Sequence, residues 1–220
     1  MLSVCRQSLL KIMEVSMQQT HSSFDVFSRT CQLFHSRHFE CLSGYLLHVF
    51  WSRGLLPEIQ EHHLSLISSA SSLHDIGKCV LSEQIVNSTT KLSPLEYEIM
   101  KQHTTLGAMM FDKALPESFD PHFRAYATEI ALYHHERWDG RGYPAGLKGT
   151  EIPTYVQVVG IADAYDALRT SRSYRPALPH QKAVELIVSG NCGEFAPQIM
   201  AEFIAAIDTA NCEIYEEDSL

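Results

Sequence analysis

Apolar residues recur at three- and four-residue intervals through most of this chain, while alternating β-branched runs between turn signals are nearly absent. Such spacing gives each segment one apolar stripe along a helix and leaves little material for a sheet. The predicted fold is all-α. Helices are expected over residues 4–19, 24–34, 37–52, 57–74, 93–113, 123–135, 155–168, 179–188 and 197–208. The clearest start is Ser93-Pro94-Leu95-Glu96. There serine can cap, proline suits the first helical position, and glutamate can bond back to the cap. One long stretch, residues 136–153, resists helix because it holds Gly140, Gly142, Gly146, Gly149, Pro144 and Pro153. Long loops of this kind are commonly functional.

At 220 residues, 45% of them hydrophobic, the chain can bury one sizeable core. The expected division is an N-terminal helical extension over 1–30, a core domain over 31–212 and an acidic tail over 213–220. A formal net charge of −9 argues against a surface that grips DNA or RNA through many phosphates. A phosphate ligand would need a local cluster of positive charge or metal. Six scattered cysteines form no CxxC pair, which suggests neither a thiolate zinc site nor a disulfide framework. Free thiols, no apolar run long enough to span a bilayer and no secretory pattern in residues 1–20 predict a cytoplasmic protein.

Twelve histidines are many for a chain of this size and point to metal or proton chemistry. His74, Asp75, His103, His134, His135 and Asp163 all fall on or near predicted helices. They offer four imidazoles and two carboxylates. Carboxylates can bridge two divalent cations while imidazoles fill the remaining positions, and a cation pair can hold and deprotonate a water. Nitrogen and oxygen ligands without sulfur suit Fe, Mn, Ni, Co or Zn. Asp166, close to Asp163, competes with it as ligand and is read as a structural partner.

The segments His74-Asp75-Ile76-Gly77-Lys78 and His134-His135-Glu136-Arg137-Trp138-Asp139-Gly140-Arg141-Gly142-Tyr143-Pro144 resemble the HD-GYP subgroup of the HD hydrolase superfamily over roughly residues 34–207. A lone HD pair would be weak; the long second motif downstream of HDIGK makes the match specific. The resemblance implies an HD-domain helical bundle with a long Gly/Pro-rich GYP loop, and a catalytic domain over 31–212. It implies that His74, Asp75, His103 (within Met100-Lys101-Gln102-His103), His134, His135 and Asp163 ligate two transition metals, iron first among them, with Asp75 bridging. His74 and Asp163 would serve one ion, and His103, His134 and His135 the other. The spacing agrees, since 75 to 103 and 135 to 163 are both 28 residues. Lys78, one turn after His74 if that helix continues, matches a lysine that contacts the reacting phosphate and protonates the leaving oxygen. Asp75 and Lys78 are thus the catalytic candidates, and Lys78, Tyr143, Arg172 and Arg175 the substrate-binding ones.

Many relatives carry an upstream Glu-x-x-x-His-x-x-Arg stretch that adds a third metal. Here His38 falls at the histidine, with Phe34 and Cys41 where the glutamate and arginine would be; His35 in another register is the alternative. His38 is therefore an additional candidate ligand, and two metals are expected rather than three. The implied reaction is hydrolysis of cyclic di-GMP to pGpG, and to GMP after a second cut, by a metal-bridged hydroxide. Cyclic GMP-AMP is an alternative substrate. A poorly active cyclic dinucleotide receptor or protein-interaction scaffold is the rival class, motivated by Phe34 and Cys41. A nucleotide phosphohydrolase of the wider superfamily fits the intact Gly142-Tyr143-Pro144 loop less well. A GGDEF-type protein partner docking through that loop is also implied.

Overall fold

The computed structural model describes residues 37–115, 118–171 and 175–215. The helices expected over 4–19 and 24–34, the extension over 1–30, Phe34, His35 and Arg172 lie outside the described residues. The chain order is α1 (Arg37–Ser52), α2 (Leu64–Ser71), α3 (Glu83–Val86), α4 (Pro94–Lys101), α5 (His103–Ala114), α6 (Pro121–Tyr133), α7 (Thr154–Arg169), α8 (His180–Val188) and α9 (Pro197–Tyr215). The described residues contain no β-strand, as the apolar periodicity requires.

Helix α7 is the axle of the bundle. Residues from Tyr155 to Ala162 are buried without a break, so no polar stripe remains to face water. α1 packs along it and also meets α2 and α9, while α5 lies on α6 and α8 closes against α7. Phe50, Phe111, Tyr165 and Phe203 are fully enclosed between these helices. Each large side chain of this kind contributes about 1.5–3 kcal/mol by leaving water.

Two of the expected helices are broken, and each break sits beside a candidate ligand. The span 57–74 opens as a turn and a short 3-10 segment, becomes α-helical only over α2, and stops at Ser71. Its serines explain the short run, for Ser71 Oγ donates to Ser68 O and Ser72 Oγ to Ser69 O, both at 2.7 Å. Hydroxyls that bond back to the preceding turn compete with continued helix. His74 and Asp75 consequently stand in a turn, and Lys78 follows in a 3-10 segment, Ile76–Val80, rather than on a continuing α-helix. The span 93–113 starts with the expected capping box, Ser93 N–H donating to Glu96 Oε2 at 2.8 Å. It then bends at Gln102, so that His103 opens α5 instead of lying within one long helix.

The other ends agree closely with expectation, except that α9 continues past Asp208 to Tyr215. Tertiary contacts sustain that extra length against the acidic sequence. The Tyr215 hydroxyl donates to Asp166 Oδ1 at 2.7 Å, and its ring meets Tyr165 at 5.7 Å and the Arg169 guanidinium at 5.2 Å.

Candidate metal centre

Four separate segments deliver the six candidate ligands. The turn after α2 carries His74 and Asp75, the start of α5 carries His103, the end of α6 carries His134 and His135, and α7 carries Asp163. Close packing of the 3-10 segment on α5 brings the first two together. At Gly77 an added Cβ would stand 2.0 Å from the His103 carbonyl oxygen, so only glycine allows that approach.

The imidazoles are oriented from behind. The Nδ1–H groups of His74, His103 and His134 donate to the backbone oxygens of Ser71 (2.9 Å), Met100 (2.7 Å) and Ile130 (2.9 Å). Each bond turns Nε2 into the centre, as a lone pair at His103 and His134, the arrangement that metal-ligating histidines adopt. Those lone pairs converge. His103 Nε2 lies 3.3 Å from His134 Nε2, 3.3 Å from Asp75 Oδ1, and His134 Nε2 lies 3.9 Å from the same oxygen. His74 Nε2 lies 3.4 Å from Asp75 Oδ2 and 3.5 Å from Asp163 Oδ1.

The two oxygens of Asp75 thus face different partners, Oδ1 toward His103 and His134 and Oδ2 toward His74. Two groups have the compactness a cation needs: Asp75, His103, His134 and His135, and a second of His74, His134 and Asp163. His134 belongs to both, so the geometry does not confine it to the first ion. Asp166 joins neither, being bonded to Tyr215.

These residues fit a metal pair on the structure's own terms. His74 Nε2 and Asp75 Oδ1 are buried polar atoms without a hydrogen-bond partner, and the facing Nε2 atoms of His103 and His134 repel unless something positive lies between them. Charge is arranged accordingly. Burial pushes the His134 imidazole well below its ordinary value, and lowers His135 to about 3 against the pull of Asp163. Burial lowers His103 as well, so these three imidazoles are neutral at neutral pH, the form in which a cation could be held. His74 differs: burial opposes its charge, but Asp75 and Asp163 raise its pKa to about 10. Burial also disfavours ionised Asp75, yet Lys78 and His74 hold it far below the usual carboxylate range. Asp163 is held down likewise by His74.

Lys78 reaches the centre despite the broken helix, its Nζ lying 2.5 Å from Asp75 Oδ2. The Tyr143 ring meets that of His135 at a tilt, with centroids 4.7 Å apart, and Lys101 Nζ sits 5.7 Å from the Tyr143 and Tyr97 ring centroids. Lys101 and Tyr97 had no role in the sequence reading; the Met-Lys-x-His pattern was the available signal for Lys101. Arg175 turns one nitrogen inward, Nη2 donating to Ala167 O at 2.5 Å. His38 lies outside both ligand groups, its ring stacked at 5.2 Å on Tyr215.

The chain is similar to several known proteins. The family described as "HD domain" matches residues 43–199. A cyclic di-GMP phosphodiesterase of Vibrio cholerae is 39% identical over 143 residues, covering 65% of this chain and 29% of that protein. One of Thermotoga maritima is 40% identical over 159 residues, covering 71% of this chain and 42% of that protein. The chain therefore spans less than half the length of these curated relatives. Among solved structures, the HDG"Y"P protein Bd1817 from Bdellovibrio bacteriovorus shares the fold, with a TM-score of 0.56 and 21% identity over 74% of this chain and 49% of that one. The chain belongs to the HD domain family. Within that family its two motifs resemble those of the HD-GYP type. Among the described residues no helix is long and apolar enough to cross a membrane.

Proposed function

We propose that this chain is a metal-dependent phosphodiesterase that opens a cyclic dinucleotide, with cyclic di-GMP as substrate and pGpG, then GMP, as products. The observation that carries this reading is the convergence of backbone-oriented Nε2 atoms on Asp75, whose two oxygens face two different ligand groups. The names of the relatives from Vibrio cholerae and Thermotoga maritima support the substrate. His74, Asp75, His103, His134, His135 and Asp163 would hold two divalent ions, iron first among the candidates. Such ions supply Lewis acidity toward a phosphoryl oxygen and a water acidified to near neutral pH.

The chain's own residues do the rest. Asp75 anchors Lys78, whose ammonium stands beside the cluster and would give a proton to the departing 3′ oxygen. Tyr143 walls one side of the centre over His135. Arg175 has guanidinium donors beyond the one bonded to Ala167, and with Arg172 it would hold the substrate's phosphates. This local positive charge lets an acidic chain accept a dianion. Cys79 and Cys192, free thiols among the described residues, support a cytoplasmic setting, and the GYP loop, exposed at Arg141, is the surface a GGDEF-type partner would meet.

The test is metal analysis of the purified protein together with product identification from a panel that includes cyclic di-GMP and cyclic GMP-AMP. Linear dinucleotide from cyclic di-GMP, dependent on bound metal, is the expected result. Product from cyclic GMP-AMP alone would reassign the substrate. Tight binding without product over hours would instead assign the receptor role that Phe34 and Cys41 motivate.

A further inference from the structure

Glu136 directly follows the His134-His135 pair but takes no part in either ligand group. Its side chain is sealed in the protein, with the residue only 3% exposed. A carboxylate so placed needs strong donors. It has three, all from the backbone of the GYP loop. The N–H groups of Ala145 and Gly146 donate to Oε1 at 2.7 and 3.1 Å, and Leu147 N–H donates to Oε2 at 2.9 Å. Three consecutive amides curl around one anion, the arrangement of a backbone nest, and bonds to an ionised acceptor are the strong kind.

The nest begins two residues after Tyr143, whose own N–H donates to His135 O at 3.2 Å. Between these two ties the Tyr143 ring lies on His135 at 4.7 Å and 31°. The loop comes so near that a Cβ on Gly142 would stand 2.4 Å from Glu136 Cα. On the opposite side, the Arg137 guanidinium donates to the carbonyls of His134, Glu136 and Cys192, which fixes the turn that bears Glu136. The turn is thus held rigid, and the loop is tied to it by the Glu136 carboxylate and by the Tyr143 N–H bond to His135 O.

We propose that Glu136 is a positioning residue: its carboxylate clamps residues 145–147 to the ligand-bearing turn and thereby sets the Tyr143 ring as a fixed wall at the mouth of the metal centre. The wall borders the cluster without belonging to either ligand group, so the clamp acts on substrate binding rather than on the reacting bond. Only a carboxylate serves. Glutamine has the same volume, but its NH2 would face at least one of the three N–H groups, donor against donor.

Glu136→Gln, compared with the parent in the metal-loaded state, tests this. Amide hydrogen exchange at residues 145–147 should speed up at least about tenfold while the helices exchange as in the parent. KM for cyclic di-GMP should rise about tenfold with kcat within about threefold. Metal content should stay the same. Glu136→Asp keeps the charge but draws it back by one methylene, and should show the same split in smaller measure. Unchanged exchange at 145–147, a fall in kcat at constant KM, loss of metal, or loss of helical signal in both variants would each overturn the proposal. The kinetic arm rests on the phosphodiesterase reading. If the parent turns over no cyclic dinucleotide, that reading has failed, whereas the exchange arm needs no turnover and still judges the clamp.

Discussion

His74 is pulled two ways. Burial favours its neutral form, yet Asp75 and Asp163 keep the proton and raise its pKa to about 10. A cation requires the same Nε2 as a lone pair, so loading at neutral pH displaces a proton. Because the folded pKa is raised, the proton stays bound across the neutral range and leaves only as pH approaches 10. Metal affinity should therefore climb with pH, and calorimetry in buffers of different ionisation enthalpy should find about one proton released per chain near pH 7. Uptake without proton release would show that His74 is already neutral. In the metal-free protein the same proton contributes stability that is complete below the ordinary histidine value of 6.5 and is lost as pH rises through about 10. Asp75 tests the bridge more directly. Asp75→Ala should remove paired metal loading and lower activity by more than about tenfold, leaving helical circular dichroism intact because the apolar core does not use this residue. Activity close to the parent's would take the bridging role away from it.

Among the elements, the 3-10 segment Ile76–Val80 follows directly on Asp75 and carries Lys78. It lies against α5 through Gly77, and the 2.0 Å separation between a would-be Cβ and the His103 carbonyl leaves no slack. Gly77→Ala must push the segment off α5 and draw Asp75 away from His103. A loss of about 1–3 kcal/mol in denaturant unfolding is expected from such overpacking, with metal occupancy falling alongside it. Full occupancy at unchanged stability would mean that the turn can shift without moving Asp75. Helix α9 shows the converse case, in which packing lengthens an element. Tyr215→Phe removes the donor to Asp166, a carboxylate whose pKa burial already raises, and should cost about 1–3 kcal/mol in the same measurement. An unaltered unfolding midpoint would show that the ring contacts alone hold the end of α9.

At the scale of the whole molecule, a chain of net charge −9 would need local positive charge to hold the doubly anionic ligand proposed for it. Lys78 stands against Asp75 and Lys101 over the Tyr143 ring beside the cluster, so attraction would be local rather than spread over the surface. Arg175→Ala should weaken cyclic dinucleotide binding by about 1.5–3 kcal/mol, the scale of a charge-assisted hydrogen bond, without altering metal content. Titration of metal-loaded, turnover-blocked protein with labelled cyclic di-GMP measures this. Unchanged affinity would confine Arg175 to its bond with Ala167, and a fall in thermal stability alone would say the same.

The helical class, the capping box at Ser93 and the identity of all six clustered residues could be read from the sequence, because periodicity, cap chemistry and motif spacing are local properties of the chain. The breaks at Ser71 and Gln102 could not. Each reflects a local preference decided by packing, serines bonding back to their own turn in one case and the seating of His103 at the head of α5 in the other. Nor could spacing say that Asp166 would pair with Tyr215, or that His38 would stack on that same ring, since both contacts join segments far apart in the chain. Glu136 was visible within its motif, but its donors come from the loop folding back over it. Sequence determined which groups are available for chemistry. Tertiary structure alone decided which lone pairs face one another, because those directions are set by backbone carbonyls and by the absence of a Cβ at Gly77.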